Sequence, residues 1–211
     1  MGSIAIIGHG RSPEGRGWGE RIDACDRVMR MWDWAWQAPR DYGRKYSFGL
    51  IEAHPGIIGD FHENNKRKPT HGWIASKLWP RPHECRLPDN CDVFDQSPFT
   101  KHAKDMGGIG ATGNLHFTRG TIAATWAISG SRRGDRVVLV GFDNVVRGET
   151  LPIEEAFSMK YLSNPGTLSF AGYEGGQRKY GNHDYQIEYP FLRKLADDYS
   201  VDLVLAENIW P

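Results

Sequence analysis

Arg136-Val137-Val138-Leu139-Val140-Gly141-Phe142 is a strongly β-branched run closed by a glycine. Its unbroken Val138–Val140 centre leaves no polar face, which suits a strand of a parallel sheet covered on both sides. Just before it, Gly130–Asp135 reads as a polar turn. Before that, Leu115–Ser129 places Phe117, Thr121, Ala124 and Ile128 on one helical stripe, widened by Ile122 and Trp126. After it, Leu151–Leu162 predicts a helix and 163–182 a loop. Ile187, Phe191, Leu192, Leu195, Ala196 and Tyr199 then form the clearest amphipathic stripe, leading into a closing strand over Val201–Ala206. Toward the N-terminus, Ser3–Ile7, Asp26–Trp32 and Phe48–Ala53 predict three more strands. The stretch after Ile7 holds too many glycines for one regular element along its whole length. From Pro55 to Asn90, Pro, Gly and His recur and periodicity fades, so 55–106 is expected to be an irregular insertion or lid. Alternating strands and helices predict one α/β domain over 1–211, built on a single doubly wound, mostly parallel sheet.

A chain of 211 residues suffices for one such domain and is short for two. Hydrophobic residues make up 39% and aromatics 12%; the eight Trp exceed what a core needs, so some are expected to present a flat face to a base or sugar. Formal net charge is zero, which removes any whole-molecule field toward polyanions. One local exception stands out. Asn64–Arg86 contains Lys66, Arg67, Lys68, Lys77, Arg81 and Arg86 against Glu84 alone, with Trp73 and Trp79 interleaved. That is either a solvated loop face or a platform for a polyanionic acceptor or nucleic acid.

Cys25, Cys85 and Cys91 cannot all pair with one another, and the spacing of Cys85 and Cys91 around Pro88 departs from zinc-ligand patterns, so no metal site is expected. Gly2–Ile7 is too short for a secretory apolar region and no run reaches membrane-spanning length. A reducing cytoplasm is the expected compartment.

In sheets of this kind ligands bind beyond the carboxyl ends of the strands. Three loops are expected there: Gly8–Ser12, Phe142–Asn144 and, if a strand precedes it, Gly107–Asn114. In Gly8-His9-Gly10-Arg11-Ser12 two glycines allow close backbone approach, exposed N–H groups can cradle phosphate, and Arg11 can pair with it. In Gly110-Ala111-Thr112-Gly113-Asn114, Thr112 or Asn114 is expected to cap the following helix, whose free N–H groups can take an anion. His183-Asp184-Tyr185-Gln186-Ile187-Glu188 opens the last helix; a histidine there can accept a proton from an attacking hydroxyl. Asp143 stands alone at its strand end, without the paired carboxylate that would hold a divalent ion.

In order and context these segments resemble the sialyltransferase family. Ile4–Gly10, Gly15–Gly19, Ile22-Asp23, Asp26 and Val28-Met29-Arg30-Met31 are similar to its long motif. Thr112-Gly113, the helix to Ser129, Asp135-Arg136-Val137 and Gly141-Phe142 are similar to its short motif, and His183 with Glu188 to its closing His-x4-Glu motif. The resemblance implies a Rossmann-like, sialyltransferase-type sheet and an inverting, metal-independent transferase. It would use no cofactor beyond a nucleotide-sugar co-substrate, CMP-linked, and would act on a glycan or other hydroxyl acceptor. His183 would be the general base. His9, Gly10, Arg11, Ser12, Trp32, Thr112, Gly113, Asn114 and Tyr180 would hold donor and nucleotide, with Glu188 and Asp143 in supporting places. Where the family has asparagines that touch the donor, this chain has His9 and Trp32, which implies a cytidine phosphate carrying a group other than standard sialic acid. Two other readings share features of the sequence: a pterin pyrophosphokinase-like phosphotransferase, which needs carboxylate-held Mg²⁺, and a nucleotide or nucleic-acid binding module.

Overall fold

The computed structural model describes residues 1–31, 38–52, 68–76, 87–108, 115, 117–149, 151, 173–174, 177–178 and 183–211. Five-residue apolar runs make the central strands β1 (Ser3–Ile7) and β6 (Arg136–Val140), which pair in parallel with Ile4 opposite Val137 and Ile6 opposite Leu139. On the other side of β1 lie β2 (Arg27–Arg30), β3 (Phe48–Glu52), β4 (Gly72–Ser76) and β5 (Cys91–Phe94). Beyond β6 lies β9 (Asp202–Leu205). The order β5-β4-β3-β2-β1-β6-β9 is parallel throughout, and the direction of winding reverses between β1 and β6.

The period of two along each strand sends alternate side chains to opposite faces, and both faces are apolar. Ile4, Ile6, Met29 and Leu139 pack under α3 (Ser97–Asp105), α4 (Arg119–Ser129) and α6 (Tyr185–Tyr199). Ala5, Ile7, Val28, Val138 and Val140 pack under α1 (Gly19–Ala24), α2 (Pro39–Tyr42) and α7 (Ala206–Ile209). α4 is buried on nearly every side because its residues are small: Ala123, Ala124 and Ala127 let it lie close against β1 and β6. α6 buries only the stripe Tyr185, Glu188, Phe191, Leu192, Leu195 and Ala196, at helical spacing.

The doubly wound parallel sheet is as expected. The expectation of an irregular 55–106 is corrected over its described part: β4, β5 and α3 are regular, and β4 and β5 extend the main sheet. Gly72–Ser76 is buried along its whole length, so it shows none of the alternation that marks a half-exposed strand. The helix expected from Leu115 begins only at Arg119. Leu115 and Phe117 instead fill the core ahead of it, Phe117 stacking on Phe191 with ring centroids 4.8 Å apart. α1 and α7 are short helices that the sequence reading left unassigned. Tyr173–Glu174 (β7) and Gln177–Arg178 (β8) pair antiparallel inside the expected loop 163–182. The helix expected over Leu151–Leu162 lies, apart from Leu151, outside the described residues.

Candidate functional site

Two glycine-built loops meet where the winding reverses. Gly8 N–H donates to the Val140 carbonyl at 2.7 Å and Gly10 N–H to the Gly141 carbonyl at 2.9 Å. A side chain at Gly8 would strike the Gly141 carbonyl, and a Cβ at Gly10 would lie 2.6 Å from Asp143 Oδ2. Gly141 itself turns with φ +71°, a conformation that favours glycine. Ser12 N–H donates to Asp143 Oδ2 at 3.0 Å, and the Tyr42 hydroxyl donates to the Gly10 carbonyl at 2.9 Å.

Asp143 therefore braces the first loop through the Ser12 amide. The amides of Gly8, Gly10 and Ser12, expected to cradle phosphate, bond instead to the β6 loop. Arg11 is half-exposed, 3.2 Å from Glu14, and the buried Ser12 Oγ has no hydrogen-bond partner among the described residues.

The N-terminus of α4 closes over these loops. Thr118 caps it, its side-chain oxygen accepting from Thr121 N–H at 3.2 Å. Thr112 and Asn114 are thus corrected as caps: four or more residues separate them from the first turn, and the hydroxyl that meets the free amide is that of Thr118. Gly120 lets the helix pack on Phe142, to whose ring a Cβ there would come within 2.9 Å. Arg119, next to the cap, lies close enough to act on His9. Burial of the His9 ring, with Arg119 adding to it, pushes its pKa down to about 3. His9 is therefore neutral at every physiological pH, with one ring nitrogen donating and one accepting.

The last helix completes the arrangement. Glu188 is fully buried on α6 and its carboxylate accepts from Thr118 N–H at 3.1 Å and from the Thr118 hydroxyl at 2.7 Å. It also accepts a short hydrogen bond from the Thr121 hydroxyl. Glu188 ties the start of α6 to the start of α4, as a bracing residue would. His183 stands two residues ahead of α6, before the cap position Asp184, rather than in the first turn. Its Nδ1 lies 4.0 Å from Glu188 Oε1, and its side chain is 28% exposed, so it can be reached by an incoming hydroxyl. Gln186 of the same helix packs beside Gly148, which caps the end of α5 (Asp143–Arg147). His9, Gly10, Arg11, Ser12, Asp143, His183 and Glu188 thus stand on loops and helix starts at the carboxyl edge of the sheet.

Trp32, Thr112, Gly113, Asn114 and Tyr180 lie outside the described residues. The loop from Gly107 follows α3 rather than a strand. Sequence reasoning missed Thr118, Arg119 and Thr121, although a threonine just ahead of an apolar helical run is a start signal. The described tryptophans pack. Trp18 meets Trp210 edge to face at 6.1 Å, Trp73 is 4% exposed against Tyr46, and Trp126 lies on Phe48. Trp73, interleaved with the basic residues of Asn64–Arg86, is an interior residue of β4, and of those basic residues Lys66, Arg67, Lys77, Arg81 and Arg86 lie outside the described residues. Among the described residues no three His, Cys, Asp or Glu side chains gather closely enough to hold a metal ion, and no helix is long and apolar enough to cross a membrane.

Comparison with solved structures gives the same architecture. A mammalian sialyltransferase in complex with Gal-beta-1-3GalNAc-ortho-nitrophenol matches with a TM-score of 0.57 over 96% of this chain and 68% of the other, at 14% identity. A second structure of a mammalian sialyltransferase matches with a TM-score of 0.58 over 95% and 68%, at 15% identity. The fold is sialyltransferase-like. At this identity the likeness is one of architecture alone. No protein-family profile matches the chain, and no curated protein matches it in sequence. In the sialyltransferase-like sheet described here, the switch point between β1 and β6 carries the candidate site, as the rule for open α/β sheets requires.

Proposed function

We propose that this chain is a metal-independent, inverting glycosyltransferase that uses a CMP-linked sugar, with His183 as its general base. One observation carries the reading. An accessible histidine stands beside a buried carboxylate, at the carboxyl edge of a sialyltransferase-like sheet and ahead of its last long helix.

In the proposed reaction an acceptor hydroxyl hydrogen-bonds to a ring nitrogen of His183. As the hydroxyl oxygen attacks the anomeric carbon, its proton passes to that nitrogen. The bond from the anomeric carbon to the phosphate oxygen breaks on the opposite face, and CMP leaves with both electrons, inverting the configuration. Arg11 and Ser12 would meet the phosphate, joined by Thr112, Gly113, Asn114 and Tyr180. Glu188 fixes the backbone from which His183 projects. Asp143 would take no part in chemistry, since its carboxylate already receives Ser12 N–H. The acceptor would be a glycan or another hydroxyl compound, and the basic composition of Asn64–Arg86 would suit an acidic one.

His9 bears on the donor. A neutral imidazole keeps one donor and one acceptor, much as an asparagine amide does. The change in donor chemistry relative to the family therefore falls mainly on Trp32, whose indole offers a single N–H and a broad apolar face. The transferred group would accordingly differ from standard sialic acid. A thermal-shift screen across free nucleotides and nucleotide sugars tests the reading. CMP or a CMP-linked sugar at about 100 times Kd is expected to stabilise the protein by about 2.7 kcal/mol. Stabilisation by purine nucleotides with Mg²⁺ and none by CMP compounds would reject it.

A further inference from the structure

At the opposite end of the sheet an open cavity of about 510 Å³ is lined by Gly2, Arg27, Gly130, Arg132, Arg133 and Asp135, among others. It lies at the amino ends of β1, β2 and β6. Arg27 is the first residue of β2, and Arg132 and Arg133 belong to the turn that carries α4 into β6. That turn is firmly built: Asp135 N–H donates to the Arg132 carbonyl at 2.9 Å and Gly134 N–H to the Ser200 carbonyl at 2.8 Å.

The carboxylates nearby are already engaged by backbone. Asp135 accepts from Gly2 N–H at 2.6 Å and from Arg132 N–H at 3.0 Å, bonds that hold its pKa below the usual carboxylate range. Asp26, which also feels Arg27, accepts from Ser3 N–H at 2.7 Å and from the Ser3 hydroxyl at 3.0 Å. The adjacent Arg136 has its own partner, Asp202, at 2.7 Å. Among the described residues no carboxylate forms an ion pair with Arg27, Arg132 or Arg133. Arg27, Arg132 and Arg133 thus line one concavity in which Asp135, which also feels Arg27, is the single lining carboxylate among the described residues.

We propose that this cavity binds a small anion with adjacent phosphate groups, of the pyrophosphate class. A guanidinium fork pairs two oxygens of one phosphate at once, and neighbouring forks match neighbouring phosphates. The volume falls in the range of small-molecule sites. The five residues of β1, about 16 Å at roughly 3.3 Å each, separate this cavity from the loops at the carboxyl edge, so one small anion cannot fill both. The inference is independent of the proposed transferase activity.

The test uses the 211-residue chain with no tag added next to Gly2, titrated with pyrophosphate, orthophosphate and sulfate by calorimetry and amide NMR. The expected result is one-to-one binding of pyrophosphate that shifts Gly2, Arg132 and Arg133, with each single-phosphate anion weaker by about tenfold. Arg27→Ala is expected to cost about tenfold in affinity and Arg132→Ala with Arg133→Ala about a hundredfold. Arg136→Ala, which removes a charge paired elsewhere, should change it less than about twofold. Far-UV circular dichroism of each variant checks that the fold is kept. The proposal is overturned by equal binding of sulfate and pyrophosphate. It is equally overturned if shifts are confined to Gly8–Ser12 and His183, or if Gly2, Arg132 and Arg133 stay unperturbed at about 10 mM pyrophosphate.

Discussion

Replacing Glu188 tests whether the candidate site is held together by the carboxylate that joins α6 to α4. In the folded chain this side chain is fully buried and, among the described residues, accepts hydrogen bonds from Thr118 N–H, the Thr118 hydroxyl and the Thr121 hydroxyl. A hydrogen bond to a charged group contributes about 1.5–3 kcal/mol, and a buried donor left without its acceptor costs about 1–3 kcal/mol. The two hydroxyls can rotate toward other acceptors; the Thr118 amide cannot. Glu188→Ala should therefore destabilise the fold by about 3–5 kcal/mol, in line with breaking other buried polar networks. Glu188→Gln keeps one carbonyl oxygen and nearly the same volume, so its loss should be about 1–2 kcal/mol. For a domain of this size 1 kcal/mol moves Tm by about 2–4 °C, so the two variants separate clearly on a melting curve. Urea unfolding followed by far-UV circular dichroism gives the free energies by linear extrapolation. A double-mutant cycle with Thr121→Val should return coupling of about 1–2 kcal/mol, because the two residues share one hydrogen bond. If Glu188→Ala stays within about 0.5 kcal/mol of the unsubstituted protein, the bracing role is refuted.

Other outcomes follow from the same geometry. His9 has a folded pKa pushed down to about 3, so below its unfolded value near 6.5 the unfolded chain binds a proton that the folded chain refuses. Stability should fall as pH drops from about 6.5 toward 3, by at most about 1.4 kcal/mol per pH unit from this group, and His9→Gln should flatten that part of the profile; an unchanged profile would contradict the burial of a neutral ring. Turnover of a CMP-linked sugar should survive EDTA, because Asp143 is taken up by Ser12 N–H; loss on chelation with recovery on adding Mg²⁺ would favour the phosphotransferase reading. CMP-sialic acid should be a poorer donor than another CMP-linked sugar, and Trp32→Asn should improve its use; efficient use by the unsubstituted protein would remove the inference drawn from His9 and Trp32.

The parts of the fold that could be read from the chain are those whose pattern is local. β1 and β6 are continuous apolar runs, and α6 has a stripe that repeats over fifteen residues. β4 was hidden because Gly72-Trp73-Ile74-Ala75-Ser76 sits among Pro, Gly and His, and its burial comes from strands remote in sequence. β5 was hidden for the opposite reason: as an edge strand it exposes Asp92 and Val93 and carries little apolar pattern. In the site, His183 and Glu188 could be picked out as a pair at a helix start. Their link to Thr118 and Thr121 spans about seventy residues and arises only when α6 crosses α4. The neutrality of His9 likewise comes from burial of its ring in the assembled fold, with Arg119, more than a hundred residues away, adding to it.

Release of CMP from a CMP-linked sugar by the unsubstituted chain and by His183→Ala, with CMP affinity measured alongside, tests the central claim most directly. A general base contributes about 10²–10⁴ to the rate without gripping the nucleotide. The account predicts that turnover falls by that factor while the Kd for CMP changes less than about threefold. Unchanged turnover in His183→Ala, or a loss matched by an equal loss of CMP affinity, would contradict the assignment of His183 as the base.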